Sequence, residues 1–105
     1  MMNNIQKEFF EKIEKMNLVK YARETTNDYG IELSMPEVRH VAKCMQDMAM
    51  RYAGNCGYGH FVNSLHREDF MKAFLYADNT NVRALPIYMH FIYNEVPISL
   101  RNKKS

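Results

Sequence analysis

Residues 34–54 of the chain read SMPEVRHVAKCMQDMAMRYAG, and this stretch decides the fold class. Ser34 and Glu37 have the spacing of a capping box, in which the serine hydroxyl and the glutamate carboxylate each accept from the other residue's amide. Pro36 suits the first helical turn, because the amide hydrogen that proline lacks would have no partner there. Apolar residues then recur at intervals of three and four until Gly54, a helix-ending residue. The stretch predicts a capped amphipathic helix that ends just before this glycine.

The flanking segments continue the helical pattern. Upstream, residues 4–16 and 18–26 carry apolar residues at helical spacing, the first of them behind an asparagine cap. Downstream, residues 61–77 predict a further helix, and residues 82–95 predict one that is apolar nearly all round, as central helices are. The apolar side of the helix over 61–77 is predicted to contain Leu65, Phe70, Phe74 and Leu75. The chain is therefore predicted to be all-α, a compact bundle of four to five helices with no significant sheet.

Length and charge limit the classes of function. A chain of 105 residues is expected to form one domain, which we place at residues 1–97, followed by a basic flexible tail over residues 98–105. The formal charge is +2, and the tail alone supplies three positive charges, so residues 1–97 carry a net charge of −1. This balance argues against a dedicated nucleic-acid surface, which needs many cationic contacts to phosphate. No secretory signal or membrane-length apolar run is apparent, so a cytoplasmic location is expected.

Two histidines and two cysteines have a spacing that is compatible with a metal site. His40 precedes Cys44 by four residues, and Cys56 precedes His60 by four, so each pair could bind one Zn²⁺ ion as a unit. The quartet matches none of the common zinc spacings, and a domain of this size and apolar content folds without metal. We therefore predict no cofactor and keep zinc binding as a weaker alternative.

No catalytic motif stands out. The glycine-rich stretch Gly54–His60 follows a helix rather than a strand and has no lysine with serine or threonine after it, so it does not match a phosphate-binding loop. No serine lies in a G-x-S-x-G elbow. His90, in the most apolar segment, is interpreted as a core histidine hydrogen-bonded to a tyrosine hydroxyl. The chain is predicted not to be an enzyme and to have no catalytic residue.

Aromatic and methionine side chains are more abundant than a small core can hide. The chain has seven tyrosines, six phenylalanines and nine methionines, and Tyr and Met are enriched at protein interfaces. We therefore predict a small interaction protein (an adaptor, inhibitor or regulatory accessory protein) that binds another protein or forms a homodimer. In size and in its Asn- and Met-rich composition it resembles small accessory proteins of bacteriophages, many of which block host proteins. The predicted contact residues surround the glycine-rich stretch: Tyr52, Tyr58, His60 and Phe61.

Nucleic-acid binding is the alternative from another class. Arg39, Lys43 and Arg51 share the solvent side of the predicted helix after Ser34 and, with the basic tail, would form its positive surface. Glu37 and Asp47 dilute that stripe. The alternative is therefore ranked below protein binding.

Overall fold

The chain is a bundle of helices. The computed structural model describes residues 3–55 and 57–101, and within these ranges it contains six α-helices, one short 3₁₀ turn and no strand. The bounds are α1 Asn4–Lys15, α2 Leu18–Tyr29, α3 Met35–Tyr52, α4 His60–His66, α5 Phe70–Tyr76 and α6 Asn79–Glu95, with the 3₁₀ turn at Ile98–Leu100. The predicted all-α class is confirmed, but the predicted number of four to five helices is too low. Over the described ranges, no helix has the length and apolar character needed to cross a bilayer.

Helix α3 is the centre of the bundle, and its predicted ends are confirmed. The Glu37 amide donates to the Ser34 hydroxyl at 3.3 Å, and the Ser34 amide donates to the Glu37 carboxylate at 2.9 Å, which completes the capping box. At the other end, Gly54 takes a φ of 102°, a conformation that side chains disfavour. Helices α1, α2, α4 and α6 all pack against α3. The buried side of α3 is formed by Val38, Val41, Met45, Met48, Ala49 and Tyr52.

The predicted helix over residues 61–77 is in fact two helices, which is why the predicted count was too low. Glu68 takes a φ of 57°, in the left-handed region, and this residue ends the run that begins with α4. Asp69 then caps α5, since its carboxylate accepts from the Lys72 amide at 3.2 Å. The chain has no glycine at this reversal, so the sequence gives no local signal for it.

Helix α6 begins three residues earlier than predicted and is not covered on all sides. The Asp78 carboxylate accepts from the Asn81 amide at 2.7 Å and caps the helix, so Pro86 lies inside it. One face of α6 enters the core, whereas Pro86, Met89 and Tyr93 are exposed. The prediction of a fully central helix is therefore wrong for the outer face. The core face of α6 consists of Ala84, Ile87, Tyr88, Phe91 and Ile92.

The segment after α6 contacts the rest of the bundle as far as Arg101. The guanidinium of Arg101 donates to one carboxylate oxygen of Glu68 from Nη2 at 2.7 Å and from Nε at 3.2 Å. The 3₁₀ turn before it packs against α1. Residues 98–101 thus contact the bundle, the flexibility of the tail stays a prediction, and the remaining tail residues, Lys103 and Lys104 among them, lie outside the described ranges.

Candidate functional site

Helix α5 turns most of its apolar side chains toward solvent. Of its seven residues only Ala73 is fully buried. Met71 is 82 % exposed, Phe74 53 % and Leu75 76 %. Successive helical residues are about 100° apart, so these three side chains share a face of about 100° centred near Met71. Single exposed apolar residues are common on proteins, so the distinctive feature of α5 is that its exposed apolar residues share one face.

Helix α6 extends this apolar area. Leu85, Met89 and Tyr93 recur every four residues, which places them in one row along the helix. Met89 is 43 % exposed and Tyr93 75 %. Phe70, half-buried, connects the two helices, because it lines both the hollow beside α5 and the groove along α6. We call this continuous area the α5–α6 surface; it consists of Phe70, Met71, Phe74, Leu75, Leu85, Met89 and Tyr93.

The α5–α6 surface contains a ridge and a hollow. Met71 and Leu75 form the ridge on the outer side of α5. The hollow, of about 360 Å³, is lined by apolar residues alone, namely Phe70, Met71, Phe74, Leu75 and Leu85. The groove along α6 is larger, about 490 Å³, and Phe70, Met89 and Tyr93 are among the residues that line it. A partner with protruding apolar side chains would fill both.

Polar groups at the rim of the groove are engaged with one another. The Tyr29 hydroxyl lies 3.0 Å from Nδ1 of His90, and the Asn94 amide donates to the His90 carbonyl oxygen at 2.8 Å. The guanidinium carbon of Arg101 lies 5.4 Å from the centre of the Tyr93 ring, a cation–π contact. The predicted hydrogen bond between His90 and a tyrosine hydroxyl is confirmed, although His90 is half-buried rather than in the core. These contacts hold the rim in place without a ligand.

Two of the four predicted contact residues belong to the core. Tyr52 is buried on α3, and its hydroxyl donates to the Glu68 carboxylate at 3.4 Å. Phe61 is also buried and meets the Tyr88 ring edge-on, with centroids 5.5 Å apart. A contact residue has to reach the surface, and the packing of α4 on α3 covers both of these side chains.

The other two predicted contact residues are accessible but lie apart from the α5–α6 surface. Tyr58 is half-buried against the core, and its carbonyl oxygen accepts from the Asn63 side chain at 2.7 Å. His60 is exposed, and its ring stacks on Tyr76 with centroids 4.9 Å apart. Neither residue lines the hollow or the groove that define the surface. Their contact with a partner stays a prediction.

The predicted His/Cys quartet is only partly described. Nε2 of His40 lies 3.9 Å from the Cys44 sulfur, as the spacing of four residues on a helix predicts. Cys56 lies outside the described ranges, so the second pair cannot be placed. Within residues 3–55 and 57–101, no three His, Cys, Asp or Glu side chains come together as a metal would need. Zinc binding by His40, Cys44, Cys56 and His60 stays a prediction.

The surroundings of Cys44 do not form a catalytic relay. Nε2 of His40 also lies 3.2 Å from the Asp78 carboxylate, so a single ring nitrogen faces both the thiol and the acid. A relay needs the two groups on different ring nitrogens. Burial also raises the pKa of the Cys44 thiol, which disfavours the nucleophilic thiolate. This arrangement gives no support to catalysis at Cys44.

The predicted positive stripe is largely occupied by internal contacts. Lys43 pairs with Asp47 at 2.6 Å, and this bond raises the pKa of the lysine. Arg51 donates from Nε to the Asn63 side chain at 3.0 Å and from Nη1 to the carbonyl oxygen of Asn55 at 3.1 Å. Arg39 is exposed. Arg51 is thus engaged by other parts of the chain, and Asp47 offsets the charge of Lys43, so nucleic-acid binding stays the lower-ranked alternative.

Sequence reasoning missed the α5–α6 surface, although two signals for it exist. The sequence of α5, FMKAFLY, has one charged residue in seven, and α6 lacks a polar face. The first was interpreted only as the apolar side of a helix, and the second as the sign of a central helix.

Comparison of the chain with models of protein families, with curated proteins and with solved structures finds no match.

Proposed function

We propose that this chain is a small, non-catalytic interaction module that acts by binding another protein through the α5–α6 surface. The observation that carries the proposal is the exposed apolar area. With about 200 Å² for a fully exposed large side chain, the five most exposed residues of the surface present about 600 Å² to solvent. The largest apolar patch on an ordinary monomer is about 300–600 Å² and is itself often functional. This surface is therefore at the upper end of that range.

The fold does not need these side chains in its interior. The core already consists of fully buried residues from α3, α4 and α6, such as Met45, Leu65 and Phe91. Phe70 and Leu85 of the α5–α6 surface pack on the outside of that core, and the other five residues of the surface are exposed to water. Covering them with another apolar surface would release ordered water, which is the main favourable term in protein association.

The polar chemistry of the surface favours a protein partner over a small molecule. Ligand pockets enclose most of their ligand and aim a few unengaged polar groups at it. Here the hollow is open and has no polar lining residue. In the groove, the side chains of His90, Asn94 and Arg101 all have partners within the chain. An apolar partner surface suits this geometry, because such a partner requires no further hydrogen bonds from the chain.

A capture experiment with matched variants tests the proposal. Met71 and Ile5 are both the second residue of a helix, α5 and α1 respectively, and both are exposed. A glutamate suits that position in either helix, because the helix N-terminus attracts negative charge. Met71→Glu should therefore charge the surface without unfolding α5, and Ile5→Glu is its control on a helix that packs elsewhere.

Wild-type protein and both variants would be immobilised and exposed to an extract of the source cells. Each captured partner would then be purified and its dissociation constant measured by calorimetry. We expect Met71→Glu to weaken binding at least about tenfold, because central interface residues carry most of the affinity, and Ile5→Glu to bind as wild type does. Equal affinity of all three proteins for every captured partner would refute the proposed site.

A further inference from the structure

We infer that a second copy of this chain covers the α5–α6 surface, so that two protomers form a dimer with two-fold symmetry. The inference rests on the proposed function, in that it identifies a partner for the same surface. In such a dimer, α5 of one protomer lies against α5 of its partner. Each protomer then uses the same residues as the other, as a two-fold interface requires.

The surface has both protruding side chains and a hollow. Met71 and Leu75, which form the ridge, line the hollow together with Phe70, Phe74 and Leu85. In the proposed dimer the ridge of each protomer would enter the hollow of the other, so that the same fit would be made twice. Methionine side chains can adjust to such a contact, because they are flexible and unbranched.

The charge distribution allows the same face of two protomers to meet. Near a two-fold axis each residue meets its own copy, so a charged residue there would be opposed by an equal charge. The outer face of α5, from Phe74 through Met71 to Leu75, has no charged residue. The one charge on α5, Lys72, is about 100° round the helix from Met71 and lies beside Arg67 and Tyr76 instead. Self-association through this face therefore buries no unpaired charge.

The exposed area is sufficient for a specific dimer. About 600 Å² from each protomer gives a total of about 1,200 Å², and stable specific interfaces begin at about this size. The two half-buried residues, Phe70 and Leu85, would add to it. An interface at the lower end of the range corresponds to a modest affinity, so we expect a dissociation constant in the micromolar range.

Sedimentation velocity on the full chain tests the inference. Over about 1 to 500 µM, which brackets a micromolar constant, we expect the mass to rise from one protomer to two. Met71→Glu should weaken the dimer at least about tenfold, because it puts two carboxylates near the axis, and Ile5→Glu should associate as wild type does. Circular dichroism would verify that each variant is folded. If Met71→Glu is not folded, the variant Leu75→Lys is used in its place, since a lysine suits the last turn of α5.

The possible failures are distinguishable. A chain that stays monomeric throughout, or a dimer that Met71→Glu leaves intact, would overturn the inference. If that monomer still captures another protein in a manner that Met71→Glu weakens, the second copy is the wrong partner but the proposed function stands. If Met71→Glu changes neither association nor capture, both proposals fail.

Discussion

Replacing Glu68 with glycine has two effects on the stability of the fold, and they have opposite signs. Glu68 holds a left-handed backbone conformation, with a φ of 57°, that glycine adopts without strain. Its side chain also receives two bonds from Arg101, at 2.7 and 3.2 Å, and one from the Tyr52 hydroxyl at 3.4 Å. Glu68→Gly relieves the strain and removes these contacts together, so the sign of the stability change shows which effect is larger.

The magnitudes favour destabilisation. Relief of a left-handed conformation is worth about 1–2 kcal/mol, but the extra freedom of glycine in the unfolded chain offsets about 0.4–1 kcal/mol of that gain. The Arg101 side chain is 24 % exposed and that of Glu68 12 %, so the ion pair lies between the surface and buried classes. Breaking a surface pair costs about 0–1 kcal/mol and breaking a buried pair about 3–5 kcal/mol, so we take about 2–3 kcal/mol. We expect a net loss of about 2 kcal/mol.

Urea unfolding followed by circular dichroism measures this loss. For a domain of this size, a loss of about 2 kcal/mol also lowers the melting temperature by roughly 10 °C. In a double-mutant cycle with Arg101→Met, the second substitution should add little to the first, because both remove the same pair. A Glu68→Gly variant as stable as the wild type, or more stable, would refute the reasoning, since backbone strain would then outweigh the ion pair.

Three further predictions concern the caps and the buried polar network. Hydrogen bonds, above all from the Ser34 amide, lower the pKa of Glu37 from 4.5 to about 2. The stability that this carboxylate provides is therefore full above about pH 4.5 and is lost as the pH falls toward 2, and Glu37→Gln should flatten the loss of stability over that window in acid titrations. Tyr88→Phe should lower the free energy of unfolding, measured in urea, by about 1–3 kcal/mol. The substitution removes the hydroxyl that donates to the buried side-chain oxygen of Asn81 and leaves that oxygen without this hydrogen bond. Gly59→Ser should raise stability by about 0.5–1 kcal/mol, because a serine cap is worth a few tenths of a kcal/mol more than glycine and the unfolded chain loses the extra freedom of glycine; α4 lacks a side-chain cap, and a Cβ at Gly59 meets no atom within 4 Å.

Each of these predictions has a control. Glu8→Gln, at an exposed position on α1, should leave the acid-dependent loss of stability as steep as in the wild type. Tyr93→Phe, on the exposed side of α6, should be close to neutral in urea, so equal losses at Tyr88 and Tyr93 would contradict the buried network. A Gly59→Ser variant less stable than wild type would show that the new hydroxyl does not reach the amides of α4.

The sequence predicted the ends of α3 correctly because their causes are local. A serine, a glutamate three residues later and a glycine at the far end are enough to place both termini, and their contacts lie within a few residues. The break between α4 and α5 has a distant cause. Glu68 is held by Arg101, thirty-three residues further along the chain, and no sequence pattern around Glu68 predicts that contact. A reversal without glycine was therefore not predictable from the local sequence.

The burial of individual side chains was predicted less well than the helical secondary structure. Helical spacing shows which residues share a face, but it does not show which face another helix covers. Phe74 and Leu75 were placed on the apolar side of their predicted helix, and both are exposed, whereas the smaller neighbouring residue Ala73 is buried. Conversely, Tyr52 and Phe61 were predicted to contact a partner and are covered by the packing of α3 and α4. The candidate site consequently moved from the glycine-rich stretch to α5 and α6.

Helix α6 shows why the exposed apolar residues call for a partner. Its inner side chains, such as Tyr88 and Phe91, are fully buried, and their apolar character follows from the core. Met89 and Tyr93 on the outer side are exposed, and polar residues there would preserve the helix and improve solubility at little cost in stability. The same holds for Met71 and Leu75 on α5. Because the monomer gains little from these side chains, their clustering on one continuous surface is the reason why we propose burial against a second protein surface.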